Sequence, residues 1–101
     1  MKISDLTEWN IQDHLDSDEA IAEYLTAALE ENDPDFFLTA IGDVVKAMGA
    51  RDIANRMGHG VKSLYKSISP GAKPRYDTVL KMIDAMGFHV EVRPNDSRPS
   101  M

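Results

Sequence analysis

The residues best suited to contact a nucleic acid gather within positions 51–68, RDIANRMGHGVKSLYKSI. Lys62 can donate to guanine O6/N7 or to a phosphate, Val61 can meet a thymine methyl, and Tyr65 can stack on a sugar or bond a phosphate. Arg51, Arg56, Lys66 and, a little further on, Lys73 are cations able to hold a phosphate backbone, while Gly60 and Ser69 border the same side. Such side chains read bases only when an element presents them to a groove. The spacing supplies two elements. Ile53, Ala54 and Met57 share one face of a helix, and Val61, Leu64 and Ile68 repeat that face beyond Gly58-His59-Gly60. Gly58 can adopt the positive φ of a tight turn, and the small Ala54 allows two helices to approach closely. Two helices so joined form a helix-turn-helix, whose second helix enters a DNA groove through its N-terminal residues. An ordinary helical hairpin inside a core has the same pattern.

Other chemistry finds little support. His14, His59 and His89 are scattered, without metal-ligand spacing, and Asp18-Glu19 and Glu30-Glu31 read as solvated helix faces rather than acid/base pairs. No phosphate-binding glycine loop, nucleophile elbow or kinase motif occurs. With no cysteine there is no disulfide, thiolate metal site or cysteine nucleophile. We therefore expect no enzyme activity, no metal and no cofactor. No apolar run approaches the ~18 residues of a membrane span, and the N-terminus lacks a secretory pattern, so the expected location is the cytoplasm.

The 101 residues suit one domain with a single core. Residues 1–15 read as an irregular arm packed through Trp9. A first helix starts at an N-cap Asp16, with Glu19 three residues on as a capping box, and buries Ile21, Leu25, Ala28 and Leu29 with Tyr24 at the border. Asp33-Pro34 restarts the chain into a second helix with Phe37, Ile41, Val44, Val45 and Met48 inward, closed by a left-handed Gly49. The third and fourth helices are residues 50–57 and 61–68. A turn cluster follows at 69–74, then a fifth helix over 75–86 that buries Val79, Leu80, Ile83 and Met86 and is capped by Gly87. Residues 88–92 alternate apolar and polar, which predicts a short β-strand. An unpaired strand in an all-α chain calls for a second copy, so Phe88, Val90 and Val92 are the expected homodimer contacts. The domain thus spans 16–93, with 94–101 a flexible tail.

The net charge of −6 hides an uneven distribution. Residues 1–45 carry twelve Asp/Glu against Lys2 alone, a net −11, whereas residues 46–101 carry ten Lys/Arg against five Asp/Glu, a net +5. The basic half suits phosphates. The acidic half suits a basic protein, or is a solvated face with no partner.

Several segments in order resemble one family: LDSDEAIAEYL at 15–25, the EENDP junction at 30–34, Leu64-Tyr65-Lys66, PRYDTVLK at 74–81, and Ala85-Met86-Gly87. Together they resemble the addiction-module antidotes, the HigA-like antitoxins of type II toxin–antitoxin systems, within the lambda-repressor-like XRE/Cro helix-turn-helix class. The likeness covers about residues 14–93. Its implied fold is a compact five-helix domain. Its implied function is twofold: neutralising a small toxin of the RelE/ParE type, whose better-known members cleave mRNA at the ribosome, and repressing its own operon as a dimer bound to operator DNA. Three positions depart from the family pattern. His59 stands where an apolar residue is usual, Gly60 replaces a capping serine, and Arg75 replaces a threonine before helix five. These changes bear on entry into helix four and on DNA specificity. Such toxins are basic, which makes Glu19, Glu23, Glu30 and Glu31 the expected toxin contacts. A stand-alone XRE-type repressor without a toxin, and a protein-interaction module that no longer binds DNA, are the competing readings.

Overall fold

The computed structural model describes residues 14–94, so the arm with Trp9 and most of the tail lie outside the described residues. Five helices follow one another: α1 (Asp18–Glu30), α2 (Pro34–Met48), α3 (Ala50–Met57), α4 (Val61–Ser67) and α5 (Tyr76–Ala85). Their starts and stops are largely set by local chemistry. At α2 the Asp33 carboxylate accepts from the amides of Asp35 (3.0 Å) and Phe36 (3.3 Å), and Pro34 occupies the first turn. A single glycine, Gly49, both ends α2 and begins α3. Its amide donates to Val45 (2.8 Å) and its carbonyl accepts from Ile53 (3.2 Å). Its φ of 106° is positive, but with ψ at 109° it lies outside the left-handed helical region expected for it.

The N-cap of α1 is Ser17 rather than Asp16. The serine hydroxyl accepts from the Ala20 amide at 3.1 Å, which leaves Glu19 one position short of the capping-box partner. The chain offers Asp16 and Ser17 side by side, and the residue with extended φ and ψ of −142° and 158° takes the role.

The core is assembled from all five helices, with Ile41, Val44, Val45, Ile53, Leu64 and Met82 fully buried. Helix α3 packs against α2, α4 and α5, and α1 lies along α2. Two inward assignments change. Leu29 is 40% exposed, although Ala28 in the same last turn of α1 is buried in the core. In α5, Met82 is buried and Leu80 is exposed. Residues 79, 82, 83 and 86 satisfy the helical period as well as 79, 80, 83 and 86 do, and packing on α3 selects the first set.

Residues 88–92 do not form a strand. Phe88 instead completes the end of α5. Its amide donates to the Ile83 carbonyl (3.1 Å), that of Gly87 donates to Asp84 (2.9 Å), and Gly87 has φ 93°. This is a Schellman closure, in which the residue after the glycine packs back on the helix, and Phe88 is accordingly half-buried against the core. Beyond it Val90 and Val92 are exposed, and no strand edge on which they could pair occurs among the described residues.

One polar contact fastens α1 to α2. The Tyr24 hydroxyl donates to Asp43 Oδ2 at 2.6 Å. Burial above all, then this hydrogen bond and the Asp43 charge, pushes the Tyr24 pKa well above the ordinary tyrosine value. The unfolded chain releases that proton near about pH 10 while the folded chain retains it, so the associated stability is complete below about pH 10 and is lost as pH rises beyond it. Replacing Tyr24→Phe is expected to cost about 1 kcal/mol at neutral pH. It should also flatten the alkaline decline, both readable by urea denaturation across pH with tyrosinate absorbance as a parallel signal.

Candidate nucleic-acid interface

The turn between α3 and α4 is built by backbone hydrogen bonds. Gly58 adopts φ 74° and ψ 24°, its amide donates to Asn55 (3.1 Å), and the His59 amide donates to Ala54 (2.9 Å). This is again a Schellman closure, so His59 occupies the half-buried position where an apolar residue packs best. Gly60 then enters α4 with φ −77° and ψ 154°, a conformation open to any residue, and contributes no side-chain cap. The turn forms with these two residues in place, although α4 starts without the hydrogen bond a serine would add.

On α4, Leu64 is fully buried, and Val61 and Ile68 are half-buried against the core. Lys62, Lys66 and Ser69 fall at intervals of four and three on the opposite side, with Tyr65, 44% exposed, along the same edge. This stripe is the part of the anticipated set that the structure brings together. Lys66 also borders an open groove shared with Ser63, Ser67 and the loop from Ser69 to Pro74, which includes Lys73. Ser63 was not anticipated, and its place beside Lys62 in the sequence was the available signal. The Ser67 and Ser69 hydroxyls donate to the carbonyls of Ser63 (3.1 Å) and Lys66 (2.9 Å), which leaves their oxygen lone pairs able to accept. Tyr65 and Ser69 also line, with Ile68, a cleft of about 530 Å³ against α2, where Asp35, Asp43 and Lys46 face it.

Other anticipated residues are placed differently. Val61 packs with the core, so only part of it is accessible. Arg56 Nη1 donates to the Ala85 carbonyl at 3.0 Å, tying α3 to the C-terminal end of α5, where a cation also complements the helix dipole. Its partner lies 29 residues away, which local spacing cannot reveal. Lys73 Nζ lies 3.6 Å from Asp35 Oδ1, both well exposed, an ion pair weak enough for a phosphate to displace. Arg51 is exposed in the first turn of α3, and Gly60 is exposed at the entry to α4. Arg75 occupies the N-cap of α5 without a side-chain cap and pairs with Asp77 at 3.5 Å.

The four expected acidic contacts are all exposed on α1 and its C-cap. Glu19, Glu23 and Glu30 fall within roughly 40° of one another around the helix, opposite Ile21, Leu25 and Ala28. No three His, Asp or Glu side chains gather as a metal site among the described residues, and no helix there is long and apolar enough to cross a membrane.

Comparison with known proteins supplies the class. Residues 5–94 match the family described as "Probable addiction module antidote protein", and the chain belongs to that family. An antidote of this kind implies a toxin as its partner. A Haemophilus influenzae protein described only as uncharacterized is 32% identical over 88 residues, covering 87% of this chain and 91% of that protein. No solved structure matches the chain.

Two substitutions probe this unit. Gly60→Ser places an acceptor at an open N-cap and is expected to add a few tenths of a kcal/mol. Calorimetry should read this as a melting point higher by roughly 1–2 °C. Arg56→Ala removes a charged donor from a helix-end carbonyl and should cost about 1 kcal/mol, with unfolding rather than DNA affinity as the primary change.

Proposed function

We propose that the chain is a non-catalytic cytoplasmic antitoxin with two working surfaces. The acidic face of α1 captures a small basic toxin of the RelE/ParE type, and α3–α4 act as a lambda-repressor-like helix-turn-helix that represses the chain's own operon. The observation that carries this reading is the segregation of charge within a member of the antidote family. Lys62, Tyr65 and Lys66 belong to α4 with Ser69 just beyond its C-cap, whereas the anticipated acidic residues belong to α1 and its cap. In the DNA complex Lys62 and Tyr65 meet base edges or the adjoining backbone, while Lys66, Ser69 and Lys73 hold phosphates. Exposed Val90 and Val92, beyond the half-buried Phe88, supply the contact between two copies, which a two-fold operator requires.

Growth rescue and copurification on co-expression with the protein from the adjoining reading frame test the antitoxin function. A gel shift on the chain's own promoter across salt tests the repressor function. Lys62→Ala and Lys66→Ala should each weaken operator binding by about tenfold and, where the lysine meets a phosphate, reduce the salt slope by about one. Glu19→Lys with Glu23→Lys should slow toxin association by about tenfold at low salt with little change in dissociation, while operator binding stays intact. Val90→Ser with Val92→Ser should shift sedimentation toward monomer. Wild-type protein that neither rescues growth nor retards its promoter would rule the reading out.

A further inference from the structure

The corner between α1 and α2 breaks two local rules at once. Leu29, in the last turn of α1, is 40% exposed, and Phe36, in the first turn of α2, is 49% exposed. Two large apolar side chains therefore face solvent within one helical turn of the same tight corner. Between and beside them stand Glu30, Glu31, Asp33 and Asp35, all exposed, and the last turn of α1 contains no basic residue. A helix C-terminus is the negative end of its dipole, where cations stabilise and carboxylates oppose. Asp33 is accounted for by its capping bonds to the Asp35 and Phe36 amides. Glu30 and Glu31 have no such account: neither side chain has a hydrogen bond or ion pair among the described residues. They sit where they work against the stability of the free protein.

The corner is also held in shape. Asn32 takes a left-handed φ of 56°, its amide donates to the Leu29 carbonyl at 3.1 Å, and the Glu31 amide donates to Ala28 at 3.3 Å. A partner docking here orders little backbone, which favours affinity.

We infer that this corner is a docking surface for a basic protein, with Leu29 and Phe36 as the apolar centre and Glu30 and Glu31 as carboxylates that receive Lys or Arg around it. The inference rests on the toxin-capture reading and assigns its centre. Charge complementarity selects the occupant. A second copy would bring identical carboxylates together, and a nucleic acid would bring phosphates, whereas a cationic surface relieves both the mutual repulsion of the glutamates and their conflict with the dipole. An aromatic anchor ringed by polar side chains is the arrangement that concentrates binding energy at interfaces. Glu19 and Glu23 lie roughly 10–16 Å back along α1 and form the outer rim, which acts on encounter rate.

The test uses the full chain and, as probe, the purified protein from the adjoining reading frame, with association and dissociation followed at low and high salt. Phe36→Ala and Leu29→Ser should each release the probe about tenfold faster, largely independently of salt. Glu30→Lys with Glu31→Lys should weaken binding by about tenfold, less at high salt, while the free variant melts at a higher temperature than the wild type. Opposite signs for stability and binding are what a merely structural role for these glutamates does not produce. Wild-type kinetics for all three variants overturn the docking surface and leave the antitoxin reading standing. A lower melting point for the double reversal overturns the conflict with the dipole on which the inference stands. Dissociation of a homodimer by Phe36→Ala makes the corner a self-interface and overturns it as well. Absence of binding by the wild type removes the capture reading and this inference together.

Discussion

The close approach made possible at Ala54 is the constraint on which the arrangement depends. Helix α3 has only eight residues, too few to be stable as an isolated helix, yet it packs against α2, α4 and α5. Ile53 and Ala54 are fully buried. The methyl group at 54 is buried in the core, and the carbonyl of the same residue accepts the His59 amide that closes the turn. Helix α4 is shorter still and starts from a glycine without a side-chain cap. Its place is secured by that turn and by the burial of Leu64. Whatever α4 presents to a partner is therefore positioned by the packing of α3 more than by helix propensity.

Charge is organised around this packed centre. Residues 1–45 carry twelve of the seventeen Asp and Glu, and residues 46–101 carry ten of the eleven Lys and Arg. Two polar contacts differ in how firmly they hold. Tyr24 and Asp43 bind α1 to α2 in a partly buried setting, and Lys73 with Asp35 bridges the acidic and basic parts at the exposed surface. The first is firm because water is partly excluded. The second is readily exchanged because both groups remain solvated.

Much of the fold was legible because its boundaries are written in local chemistry. Asp33-Pro34 opens α2, Gly49 divides α2 from α3, Gly58 ends α3, and Gly87 ends α5. Each of these acts through its own φ, side-chain acceptor or missing amide, within a few residues. Errors appeared where two neighbours satisfied the same rule. Ser17 capped α1 in place of Asp16, and Met82 turned inward in place of Leu80. The alternation at 88–92 was real but insufficient. A strand exists only with a partner, and Phe88 found a better use in closing α5.

Sequence alone determined the five helices of the described residues, the tight glycine turn and the lysine spacing on α4, since each depends on intervals of a few residues, and it determined the division of charge by composition. Tertiary structure decided which members of the anticipated binding set were available. It gave Arg56 to the Ala85 carbonyl, drew Val61 into the core and paired Lys73 with Asp35, contacts that join residues far apart in the chain. It also left Leu29 and Phe36 in solvent, because whether an apolar residue is covered depends on what lies across from it in space. The stretch at 51–68 and the serine that follows it thus remain the candidate surface for DNA, narrowed to Lys62, Tyr65, Lys66 and Ser69 by the packing behind them.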